Sequence, residues 1–279
     1  MPLIDCHIHA GDLTGLKPDV AEWVRSFQGD LSAYDEEGRL RAERLERFLA
    51  AEGVDYALVL PEYSPHFVGL VPAEAVAALC GSSERLVPAG GVNPHLHDDP
   101  LAEVTRQHET LGVVAVKLHP VHQGFYPTDG GLYPLYAYCD DHGLPVMVHT
   151  GVSIFPGAKL KYGDPVLMDE VAADFPTLPI ILCHAGRGLW YDAASLLARR
   201  HPCVWLDISG LPPARLLEYL PSLEPLADKV LFGSDWPGVP GIRANAEAVS
   251  ALGLSSEALE AILWKNAVRL FGLSMEAAP

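Results

Sequence analysis

With 279 residues, 49% of them hydrophobic, the chain can bury a sizeable core, either as two ordinary domains or as one large α/β barrel. Its formal charge of −17, from 19 Lys and Arg against 36 Asp and Glu, repels nucleic acid and anionic membrane and excludes both as partners. No apolar run approaches the roughly 18 residues of a membrane span, nothing before Asp5 resembles a signal peptide, and the five scattered cysteines read as reduced packing residues of a cytoplasmic protein.

A first strand at 2–9 ends in Asp5-Cys6-His7-Ile8-His9. Residues i and i+2 of a strand share a face, so His7 and His9 project together, while Cys6 and Ile8 point the other way. Two neighbouring neutral imidazoles are a natural start to a divalent-metal site. Residues 10–38 carry Gly11, Gly15, Pro18, Gly29 and Gly38, with Trp23, Phe27 and Tyr34 between them. That segment is too long for an ordinary turn between strand and helix, and it reads as a lid or cap over the first strand's end. Leu40, Leu45, Phe48 and Leu49 recur at helical spacing opposite charges, which predicts an amphipathic helix over 39–52.

The alternation then continues. Strands are expected at 54–60, 86–92, 113–118, 145–149, 180–184, 204–208 and 229–233. Between and after them, helices are expected at 72–80, 100–111, 131–143, 164–175, 189–200, 212–220, 241–252 and 256–271. Gly143 stops one of these helices. Eight apolar strands, each followed by a helix, imply a parallel sheet buried on both faces. That count fits a closed (β/α)8 TIM barrel with a long loop insertion after the first strand, in a single domain over 1–279. A doubly wound open sheet is the alternative, but no strand is followed by Gly-x-Gly-x-x-Gly.

Barrels of this kind carry their active sites at the C-terminal ends of the strands. Those ends hold His7 and His9, then Lys117 and His119, His149, His184, and Ser234-Asp235. His7, His9, His149, His184 and Asp235 thus converge from four strands on one mouth, which points to a metal site. Glu62 and Asp207 end the second and seventh strands, where either can fix a ligand histidine by a hydrogen bond. His122, further into its loop, reads as a solvated residue. His66, His95, His97, His108, His142 and His201 fall in loops or helices.

The His-x-His pair, the single histidines ending the fifth and sixth strands, and the aspartate ending the eighth resemble the signature of the amidohydrolase superfamily. The phrases KLHP at 117–120, VHTG at 148–151, GSDWP at 233–237 and NAVRLFGL at 266–273 resemble amidohydrolase family 2, the branch with aminocarboxymuconate-semialdehyde decarboxylase-like enzymes. The resemblance runs from Ile4 to Leu273 and is least informative in the cap.

The resemblance implies that His7, His9 and Asp235 bind a divalent metal, most often zinc, with His149 a further ligand. His184 is then either a ligand of a second metal or the base that deprotonates metal-bound water, and Asp235 shuttles that water's proton. Lys117 has two roles open to it. In two-metal members a lysine at this place is carboxylated and bridges the ions; otherwise its ammonium binds a substrate carboxylate or pairs with an acid. His119 contacts substrate or supports the site, Arg187 clamps an anionic group or forms a surface salt bridge, and Trp236 walls the pocket or packs in the core. The implied activity is hydrolysis of a small amide, lactone or ester by a metal-bound hydroxide. The alternative is non-oxidative decarboxylation of an unsaturated or aromatic acid, and a third reading is a catalytically silent binding barrel. The partners are a small-molecule substrate and, since dimers are common in the family, a second copy of the chain.

Overall fold

The computed structural model describes residues 1–9, 11–26, 30–155, 157–239 and 241–275. Phe27 and Gly29 of the cap lie outside the described residues. The eight barrel strands are Ile4–Ile8, Tyr56–Val59, Leu86–Pro88 with Gly90–Gly91 as one third strand, Val116–Leu118, Val146–His149, Ile180–Cys183, Val204–Asp207 and Val230–Leu231. All neighbours pair in parallel. The third strand joins two sheets: the Ala89 amide donates to Val59 O, and the Gly90 amide to Ala115 O. The first and eighth strands close the ring through Cys6 N to Phe232 O at 2.9 Å, Asp235 N to His7 O at 2.9 Å and His9 N to Trp236 O at 2.7 Å.

Alternation along the strands sorts their side chains into two layers. One buried cluster takes residues from each of the eight strands, among them Ile4, Leu58, Ala89, Ala115, Met147, Ile181, Trp205 and Leu231, and fills the barrel interior. The residues of opposite parity, such as Val116, Val148, Leu182 and Leu206, pack outward under the helices. Those helices start and stop where the chain supplies caps. Pro100–Leu111 opens on the Asp99 carboxylate, which accepts from Ala102 N, and ends at Gly112 in the left-handed region.

The first strand departs from simple alternation. Ile8 packs outward, as expected, but Cys6 lies in the interior cluster with Ile4 and Cys183. The cause is an irregular register between Asp5 and Ile8. The buried Asp5 carboxylate accepts from His7 N and from Ser234 N of the eighth strand, replacing ladder bonds at that point.

The expected cap has structure of its own: a 3-10 turn at Leu13–Gly15 and a helix at Pro18–Ser26. A hairpin, Glu62–Ser64 with Gly69–Val71, occupies what the alternation left as loop after the second strand. The segment expected as a helix at 212–220 is a 3-10 turn, Pro213–Arg215, followed by one helical turn, Leu216–Tyr219. The final helix passes through a π-helical stretch, Ala261–Lys265, where Ile262 O accepts from Phe232 N and ties the helix to the barrel wall. Among the described residues, no helix is long and apolar enough to cross a membrane.

Candidate active site

His7, His9 and Asp235 meet at the seam between the first and eighth strands. Their facing atoms are close: His7 Nε2 to His9 Nε2 is 3.3 Å, and Asp235 Oδ1 lies 3.6 Å from the first and 3.5 Å from the second. Backbone geometry places them there. Asp235 sits at φ 70° and His184 at φ 61°, in the left-handed region that L side chains rarely occupy. Such conformations cost on the order of 1–3 kcal/mol and persist where the surroundings enforce them. Two glycines make room. A Cβ on Gly233 would stand 2.8 Å from His7 Cβ, and one on Gly210 would stand 2.6 Å from Asp235 Oδ2.

The orientation of His7 is set by Asp207, whose Oδ2 accepts from His7 Nδ1 at 2.5 Å. Burial alone would raise the Asp207 carboxyl, but the His7 ring outweighs it and holds the group down at about 2. The proton therefore sits on Nδ1 and leaves the Nε2 lone pair facing His9 and Asp235. Burial, then the Lys117 ammonium, push the His7 imidazolium down to about 4, so the ring is neutral at pH 7. His184 follows the same logic: its Nδ1 donates to Ser209 O at 2.9 Å, which frees Nε2 as a lone pair. Burial and Arg187 push its imidazolium well below the usual range. Burial opposes ionisation of Asp235, but the His184 ring and bonding from His9 outweigh it, and the carboxyl stays well below the usual range.

This donor set fits a divalent ion. Two imidazole nitrogens and a carboxylate oxygen face one another, and among the described residues Nε2 of the nearby buried His149 has no hydrogen-bond partner. Lys117 lies in the barrel interior beneath the triad, with Nζ 3.1 Å from Cys183 Sγ and 3.4 Å from His7 Nε2. It does not line the cavity. Neither of these two close contacts is with a carboxylate.

Above the triad opens a cavity. Its polar wall is Glu62, His119, His122, His149, His184 and Arg187; Leu16, Val20, Trp23 and Val24 of the cap, with Phe155, form an apolar wall. Arg187 donates to Val152 O at 3.2 Å and reaches within 3.8 Å of Asp235 Oδ2. His119 faces Glu62 across 3.7 Å. Trp236 is not on this cavity. Its carbonyl takes the His9 amide, and its side chain packs in the core against Tyr34 and Phe48, with centroids 5.7 and 5.1 Å away.

His122, expected in solvent, is buried on the cavity wall and bonds Ser153 Oγ at 2.8 Å. The signal was present in the sequence. Pro120 directly after a strand end starts a helical turn, Pro120–Gln123, which puts positions 119 and 122 on one side. Ser209, which bridges Asp207, His7 and His184, went unmarked because it lies past the seventh strand's end.

The buried histidines make the metal-free protein acid-sensitive. His7, His119, His122, His149 and His184 all have depressed folded values, with His7 at about 4 and His122 at about 3. Below pH ~6.5 the unfolded chain takes up protons that the folded one refuses, and each group then costs up to about 1.4 kcal/mol per pH unit. Asp5 and Glu62 oppose this: burial raises both carboxyls, Asp5 to about 7, so their contribution is present at low pH and lost as pH rises. Five groups outweigh two. The thermal midpoint of metal-free protein is expected to fall steadily from pH 7.5 to pH 5; a flat or rising midpoint would contradict these protonation states.

The sequence matches the family described as Amidohydrolase over residues 4–273. No curated protein matches it. Among solved structures, an uncharacterized TIM-barrel protein from Bordetella bronchiseptica is similar at a TM-score of 0.81 and 26% identity, covering 98% of this chain and 99% of that one. 5-Carboxyvanillate decarboxylase from Sphingomonas paucimobilis gives 0.64 and 17%, covering 98% and 99%. A protein described as a probable 2-pyrone-4,6-dicarboxylic acid hydrolase from Acinetobacter baumannii, with citric acid bound, gives 0.66 and 14%, covering 98% and 100%.

Proposed function

The chain belongs to amidohydrolase family 2, whose members are metal-dependent, and on that premise we propose that it hydrolyses a small ester, lactone or amide. The observation that carries this reading is the pairing of two proton acceptors, His184 Nε2 and the ionised Asp235, beside the His7–His9–Asp235 donor set. Hydrolysis needs a base for water, and this wall of the cavity offers bases. His7, His9, Asp235 and His149 would hold the ion, with zinc suited to such nitrogen and oxygen donors. When bound, the ion polarises a carbonyl oxygen and acidifies water.

The chain's own groups do the rest. His184 Nε2 takes the proton from the attacking water, and Asp235 Oδ2, 4.0 Å from His184 Nδ1, stabilises the imidazolium that forms. Arg187 orients an anionic group of the substrate, and the cap's Trp23 and Val24 with Phe155 cover its apolar body and exclude water. The substrate class is therefore a small carboxylate-bearing ring or unsaturated acid derivative. We place the enzyme in the cytoplasm, as one domain, and as a candidate homodimer.

A second reading is decarboxylation of an aromatic or unsaturated acid. It is favoured by Arg187 on the cavity wall, and a structural neighbour is a decarboxylase. The test is to load the protein with zinc, manganese or cobalt and supply lactones and esters of aromatic acids beside the free acids. Hydrolysis releases one acid equivalent and no carbon dioxide. Carbon dioxide from the free acids, with esters and lactones untouched, would replace the first reading by the second.

Lys117 separates the metal arrangements. Its depth beside His7 Nε2 supports the carbamate role, in which it bridges two ions. Lys117→Ala is then expected to lose bound metal and most turnover, and added acetate to restore part of both. Unchanged metal content in the variant, with acetate inert, would remove the bridge.

A further inference from the structure

We infer that Glu62, His119 and His122 form a second divalent-metal site on the cavity wall, sharing no residue with the His7–His9–Asp235 triad. The three come from separate pieces of chain: the hairpin after the second strand, the end of the fourth strand, and the helical turn that follows it. One donor atom from each lies within 4.8 Å of the other two. All three are almost wholly buried, at 4%, 3% and 6% exposure.

Their hydrogen bonding is unfinished. Among the described residues, Glu62 Oε1 and His122 Nδ1 have no hydrogen-bond partner, and His119 Nε2 stands 3.7 Å from Glu62 Oε2, too far for a hydrogen bond. Buried polar groups of a folded protein are almost always satisfied, so two orphans clustered with a third donor ask for a shared ligand. Contacts behind the cluster already fix it. Ser153 Oγ takes His122 Nε2 at 2.8 Å, and Gln123 Oε1 accepts the His119 amide at 3.2 Å. A second ring nitrogen held in this way, as His122 Nε2 is, orients a metal-binding imidazole.

Two imidazoles and a carboxylate select a borderline ion such as zinc, cobalt or nickel over magnesium or calcium. The His9 and His119 rings lie 6.0 Å apart, so an ion here would face the same substrate as one at the triad.

The test reads metal content, not turnover, and so stands apart from the reaction proposed above. Metal-free protein is dialysed against cobalt(II), and bound cobalt per chain is measured with its visible absorption. Glu62→Gln, which keeps shape, and His122→Asn are each expected to hold one equivalent less than wild type and to lose one set of cobalt bands. His9→Ala is expected to lose a different set. Wild-type cobalt content and spectrum in both folded variants, Glu62→Gln and His122→Asn, would overturn the site.

Discussion

His9→Ala leaves a folded barrel that holds no metal at the triad and turns nothing over; this is the expected result of removing one donor. His9 is half-buried, and its ring is held through Asp235 and the His7 face. Its backbone bond to Trp236 O survives the change. The thermal midpoint of metal-free protein should therefore stay within a degree or two, since exposed or half-exposed changes cost about 0.5 kcal/mol or less. His7→Ala loses turnover equally but is expected to be less stable. The buried Asp207 carboxylate then loses the bond from His7 while keeping those from Ser209, and a hydrogen bond to a charged group contributes roughly 1.5–3 kcal/mol. Elemental analysis, melting curves and turnover together check the pair. Full metal content with full turnover in either variant would remove these residues from the ligand set.

Asp235→Asn is expected to lower turnover at least ~10²-fold, the usual contribution of a positioned acid or base. The substitution keeps shape and backbone but removes the charge that faces His7, His9 and, through Oδ2, His184 and Arg187. It also takes a carboxylate donor from the ion, so metal affinity should fall as well. The two effects separate at saturating metal: an affinity loss is rescued there, and a lost proton acceptor is not. Near-normal turnover between pH 6 and 9 at saturating metal would end this role for Asp235.

The barrel was legible because buried parallel strands read as apolar runs and because helices alternate with them. Its strand ends were legible for the same reason: once His9, His149 and His184 are placed on strand ends, they must share one mouth. What the sequence hid depends on contacts across the fold. The inward Cys6 follows from Asp5 bonding to Ser234, a partner 229 positions away that no local window contains. Trp236 next to Asp235 suggested a pocket wall, but only the positions of Tyr34 and Phe48 decide which way its ring goes. His122 was hidden by loop length alone, although Pro120 marked a turn. The Glu62–Ser64 hairpin has few residues per strand and no alternating pattern long enough to register.

The ring of strands has one seam where the beginning of the chain meets its far end, and the triad straddles it: His7 and His9 on one lip, Asp235 on the other. Neither lip holds the full set of donors by itself, so the set exists only where that join is closed. An ion bound there acts as a rivet across the join. Its affinity is added to the cost of opening the seam and leaves strands elsewhere in the ring unchanged.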